Sequence, residues 1–198
     1  MSWSQILLFV HVAMAVAWVG GALMLLILVY RYSQSDDRSR MASFGHDIEW
    51  VAQRVFTPAS LLAFVTGVWL VVDSDFYGFG DDWIVIGLLL YATTFLAGLL
   101  FLGPESKRIG LLAEQGSPEA PPRILRLTFL ARLDVVLLFL IIYVMTVKPE
   151  IDSEAMLAGI LGVLLAGGII WWRYRTAVTQ MQSRMPPTPD VPAPPAAE

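Results

Sequence analysis

The chain has 198 residues, a formal charge of −4, 57% hydrophobic residues and no cysteine, with a mean hydropathy of +0.65. Soluble domains carry about 45–50% apolar residues, so the composition implies a small helical bundle in a membrane, with the lipid bilayer and no nucleic acid as its partner. The lack of cysteine excludes disulfides, thiolate metal sites, c-type haem attachment and thiol redox chemistry.

The first apolar run covers 6–30, longer than the roughly 20 residues a helix needs to cross a bilayer. It lacks the positive n-region and small-residue cleavage site of a signal peptide, so it reads as a retained span. Ala13, Ala17 and Gly21 form a small-residue stripe at i, i+4, i+8, while His11, Met14, Trp18 and Ala22 cluster on another face. Two differentiated faces predict a central helix with neighbours on both sides. The segment 41–54 reads as an amphipathic surface helix that continues through Pro58 into a second span, 55–72. Further spans are predicted at 83–102, 128–147 and 156–172, the last with a stripe of Gly159, Gly162 and Ala166. None of these runs alternates apolar and polar residues as barrel strands do. Residues 185–198 are Pro-rich, with too little apolar surface to order themselves. The expected organisation is one five-helix membrane domain, 1–184, followed by a disordered tail.

Charge orients the bundle. With five crossings, every Lys and Arg except Lys148 falls on one side. Arg31, Arg38, Arg40 and Arg54 lie in the first connector; Lys107, Arg108, Arg123, Arg126 and Arg132 lie around the third; Arg173, Arg175 and Arg184 follow the last span. Lys148 shares the opposite side with Asp73, Asp75, Asp81, Asp82, Glu150, Asp152 and Glu154. The positive-inside rule then predicts an all-α, multi-pass protein with its N-terminus outside and C-terminus cytoplasmic. Trp3, Trp83 and the Trp171, Trp172 pair mark span boundaries, where amphipathic rings prefer the headgroup level.

His11 is the one His, Asp, Glu, Lys or Arg in the first apolar run. Ionisable groups at such depth cost about 3 kcal/mol or more, and by default they mark functional sites. Three roles are open. As a haem axial ligand it presents Nε2 to iron; as a copper ligand it works with soft thioethers such as Met14 or Met145; as a structural group it hydrogen-bonds across helices, with Thr or Tyr groups as candidate partners. His46 precedes the second span on the far side of a ~30 Å hydrocarbon core, so the two histidines cannot grip one iron. Arg132 and Asp134 lie about one turn inside the fourth span and, at i, i+2, point to different faces. With Arg54, Asp47, Glu49 and Glu105 they predict either an ion-pair network or a basic pocket for a propionate or lipid phosphate. Met145 and Lys148 lie one turn apart at the outer end of this span, and the aspartates 73, 75, 81 and 82 form an acidic outer surface.

Four segments carry a family resemblance. HVAMAVAWVGGALMLLILVYRY (11–32), IEWVAQRVFTPASLLAFVTGVWLV (48–71), DDWIVIGLLLY (81–91) and RLDVVLLFLIIYVMTVKPEI (132–151) together resemble the copper-resistance protein D (CopD) superfamily. That superfamily includes the J-type protoporphyrinogen oxidase, HemJ, and integral membrane families of no assigned activity, to which the likeness is nearest. The resemblance implies a bacterial inner-membrane protein with haem b on His11, with copper handling as the alternative. HemJ-type enzymes carry a His and a Lys where this chain has Val85 and Gly87, and neither residue can ligate iron or donate a proton. Oxidase activity is therefore not expected. A non-catalytic assembly or accessory subunit, without cofactor and with a membrane-protein partner or a second copy, is the third expectation.

Overall fold

The computed structural model describes residues 2–33 and 50–184. Five helical segments are long and apolar enough to cross a membrane: Trp3–Tyr30, Arg54–Val72, Asp82–Glu114, Ala120–Val147 and Glu154–Ser183. They derive from α1 (Trp3–Ser33), α2 (Thr57–Val72), α3 (Asp82–Ala97), α4 (Gly103–Glu114), α5 (Ala120–Val147) and α6 (Glu154–Arg184). Lipid supplies no hydrogen bonds to an open backbone, so helices are the form these apolar runs can take. All five predicted spans are present, and no strand occurs among the described residues.

Several helices are longer than their apolar runs. The third continues from 102 to Glu114, the fourth starts at Ala120 rather than 128, and the fifth runs to Arg184. Hydropathy registers only the lipid-embedded part, whereas α4 is amphipathic and buries Ser106, Ile109, Gly110 and Ala113. The turn between α4 and α5 closes with Ser117 N–H donating to the Leu112 carbonyl at 2.9 Å and Gly116 N–H to that of Ala113 at 3.0 Å. This is the Schellman pairing, and it needs the left-handed φ of 64° that glycine supplies at position 116.

Two π turns interrupt the regular helices, Ala52–Phe56 before α2 and Gly98–Leu102 between α3 and α4. Each comes just ahead of a proline in the first turn of the next helix, Pro58 and Pro104. Proline lacks an N–H and its ring clashes with the carbonyl four residues back; a wider turn relieves both. At the second turn the Gly103 N–H reaches the Gly98 carbonyl, five residues back. The helix thus passes through Pro58 into the second span, as expected. Residues 41–49 lie outside the described residues, as does the tail 185–198.

α1 packs on α2 along one side and on α5 along another, and α5 also receives α3 and α6. The first span is therefore central, but α5 is the larger hub: Leu138 is 0% and Val144 1% exposed. Of the small-residue stripes, Gly21 accepts the ring of Phe56, and Gly159 accepts the ring of Tyr143. The Tyr143 hydroxyl then donates to the Ala155 carbonyl at 2.6 Å, tying α5 to α6. Gly162 faces open space, so that stripe is only half used. Exposed Leu164, Leu165 and Trp172 give α6 an apolar face suited to lipid.

The two ends differ. At the acidic end Ser4 Oγ donates to Asp73 at 2.9 Å, Ile151 N–H donates to Asp82 at 3.0 Å, and Gly78 N–H donates to Asp81 at 3.0 Å. The aspartates there tie loops together. Lys148, in a left-handed conformation at φ 52°, sets its ammonium 3.9 Å above the Tyr77 ring and 4.9 Å from that of Trp83. At the basic end Arg123 pairs with Glu105 at 2.8 Å and with Glu119 at 3.6 Å.

Candidate functional site

His11 lies on α1 about 12 Å from its start at Trp3, at 1.5 Å per residue, and is half-buried. Its Nδ1 stands 2.8 Å from the backbone oxygen of Ala63 in α2. A carbonyl only accepts, so Nδ1 carries the proton. The neutral ring is then the tautomer whose Nε2 holds a lone pair. Thr66 Oγ1 also donates to the Ala63 oxygen, at 3.2 Å. His11 thus bonds across helices, as a structural role predicts, but to a backbone carbonyl and not to a Thr or Tyr side chain.

Gly67 makes this contact possible. A Cβ at that position would lie 2.9 Å from Cε1 and 3.1 Å from Nδ1 of the imidazole, closer than carbon and nitrogen pack. This contact has no signature in the sequence, because one glycine in an apolar span looks like any other until the facing helix is known. Just along the bundle, Tyr91 stacks on Phe64 (4.8 Å between centroids) and on Phe95 (5.6 Å) and receives the edge of Trp18 at 5.5 Å.

The remaining predicted site residues have different neighbours. Met14 is half-buried on α1. Met145 is also half-buried, but its methyl group is seated on Gly87 of α3. His11 and Met145 thus address different helices. Gly87 is buried under that methionine and Val85 is exposed. Arg54 is exposed, its guanidinium 5.1 Å from the Trp50 ring. Arg132 is half-buried, with Arg173 and Tyr30 as electrostatic neighbours. Glu105, expected near Arg54 and Arg132, is held by Arg123 instead. His46, Asp47 and Glu49 lie outside the described residues. No group of three or more His, Asp or Glu side chains suited to a metal ion occurs among the described residues.

Asp134 is separated from Arg132, as its i, i+2 spacing predicts. It lines a cavity of about 430 Å3 between α1, α2, α5 and the α3–α4 segment. Neither Arg54 nor Arg132 borders that cavity.

A family model described as a predicted integral membrane protein (DUF2269) matches residues 5–149. The chain belongs to this family. The match takes in α1 to α5, and with them His11, Ala63, Gly67 and Asp134; α6 follows it. Membership establishes an integral membrane protein, the coarser part of what the resemblance implied. No curated protein and no solved structure matches the chain.

Proposed function

We propose that this DUF2269 member is a bacterial inner-membrane protein of CopD/HemJ-like type that holds a b-type haem on Nε2 of His11, in a redox or haem-handling role. One observation carries the reading: the 2.8 Å bond between His11 Nδ1 and the Ala63 carbonyl. Metal-ligating histidines almost always donate their other ring N–H to a carbonyl or carboxylate, which fixes the tautomer, orients the ring and raises the basicity of the ligating nitrogen. The donor chemistry of His11 fits an axial ligand in that respect. A bound haem supplies one-electron redox chemistry at its iron. The chain's own part is to orient the imidazole through Ala63, to admit it through Gly67, and to keep water from it with the surrounding apolar helices.

Copper receives less support. A copper(I) site needs soft ligands converging with the imidazole, and Met145 is seated on Gly87 rather than beside Gly67; Met14 alone remains one turn from His11. Protoporphyrinogen oxidase chemistry is not proposed, because Val85 and Gly87 supply neither of the HemJ-type side chains. Inner-membrane placement, with the basic end cytoplasmic, rests on the Lys and Arg distribution.

The test is a visible absorption spectrum of detergent-purified protein, oxidised and dithionite-reduced, from cells supplied with haem. The reading requires a Soret band with reduced-state α and β bands, all lost in His11→Ala. Colourless protein would overturn it and favour an accessory subunit; copper bound in stoichiometric amount to colourless protein would favour the copper reading.

A further inference from the structure

A second site lies apart from His11, which does not border it. The 430 Å3 cavity falls within the roughly 300–1,000 Å3 of small-molecule sites. Counted from the acidic end by helical rise, Asp134 and Thr94 both lie about 20 Å in, while Lys107 lies almost twice as deep, at the basic interface. Asp134 and Lys107 are the charged residues of the wall among the described residues. The cavity therefore runs from the middle of the bundle to its basic end, with its carboxylate at the inner limit.

Three features of the wall define what it recognises. Asp134 Oδ1 is fully buried and accepts no hydrogen bond from any described residue, a costly arrangement for a carboxylate in an apolar bundle. The hydroxyls nearby do not relieve it. Ser60 donates to the Thr57 carbonyl, Thr94 to those of Leu90 and Tyr91, and Thr128 to that of Ile124. With those protons spent on their own helices, these hydroxyls have none left to give to Asp134. Aromatic rings of Trp18, Phe56 and Phe95 are also part of the wall, and aromatic rings are sites at which a cation is attracted. At this inner limit, remote from Lys107, an unpaired carboxylate oxygen and spent hydroxyls among aromatic and apolar side chains complement an ammonium group on an apolar body.

We propose that this cavity binds a small amphipathic organic cation, a primary or secondary amine in its protonated form. Its N–H groups donate to Asp134 and its hydrocarbon part lies among α1, α2 and the π turn at Gly98–Leu102. The site is independent of the haem reading, and the failure of either leaves the other standing.

The experiment is equilibrium dialysis of the full chain in nanodiscs against 2-naphthylethylammonium, with empty nanodiscs as blank and the isosteric naphthyl alcohol as neutral control. The expected result is saturable binding of one amine per chain, weakened about tenfold or more in Asp134→Asn, with the alcohol bound weakly and equally by both proteins. Equal binding of amine and alcohol, or an amine affinity unchanged by Asp134→Asn, would overturn the proposal. A measurement on the unaltered chain guards against misfolding of the variant. Dicyclohexylcarbodiimide should label Asp134, mapped by peptide mass spectrometry, and the amine should slow that labelling several-fold; labelling indifferent to the amine, or absent, would also overturn it.

Discussion

The imidazole of His11 and the methyl of Met145 each rest on a glycine, and the two glycines should respond differently to an added methyl group. At Gly67 the new Cβ meets a rigid ring 2.9 Å away whose Nδ1 is already bonded to Ala63. Gly67→Ala should therefore cost about 1–3 kcal/mol and displace His11, lowering haem content as well as the thermal midpoint. At Gly87 the obstacle is the far end of a flexible side chain, and methionine repacks readily. Gly87→Ala should leave both readouts nearly unchanged. Equal effects of the two substitutions, measured by thermal unfolding and by the Soret-to-280 nm ratio, would refute the seating of His11 on Gly67. His11 itself was legible in the sequence because an ionisable group inside an apolar run is conspicuous. Its partners were not. Ala63 contributes a backbone oxygen and Gly67 an absence of side chain, and neither has a sequence signature without the register of α1 against α2.

The elements were legible in their lipid-embedded parts and not in their ends or irregularities. Hydropathy found the five spans, but α4 and the start of α5 lie where apolar content falls and packing between two amphipathic helices takes over. Pro58 was readable as a first-turn proline. The π turns ahead of Pro58 and Pro104 were not, since proline in a span permits a kink, a wide turn or a break alike. Both π turns contribute to the cavity wall through Phe56, Gly98, Leu99 and Leu102. Pro104→Ala supplies a backbone donor and lets the widened turn relax to regular helix, a change worth up to about 3 kcal/mol. It should raise the thermal midpoint while narrowing the cavity, so that carbodiimide labelling of Asp134 slows. A stabilised protein whose Asp134 labels as fast as before would separate the π turn from the cavity. Asp134 shows the same boundary of legibility: its spacing from Arg132 excluded a mutual pair, but only the packed bundle reveals that no other described residue takes the partner's place.

For the whole molecule, the charge distribution makes a claim about sidedness that a cysteine-free chain is well suited to test. Ser2 lies at the acidic end and Ser117 in the α4–α5 turn at the basic end. A membrane-impermeant maleimide on intact spheroplasts should label Ser2→Cys, and should label Ser117→Cys only after permeabilisation. The reverse pattern would invert the topology. On the expected topology His11 lies in the outer half of the bundle and the Asp134 cavity reaches the cytoplasmic end, so the two proposed sites face opposite sides of the membrane. The central claim, that His11 is a ligand and not a helix clamp, is tested most directly by supplying the ligand from solution. His11→Gly purified in detergent with added haem should lack the Soret band of the unaltered protein, and millimolar imidazole should restore it, because free imidazole can occupy the space the side chain leaves. A band that persists in His11→Gly without imidazole, with the position and intensity of the unaltered protein, would contradict the account.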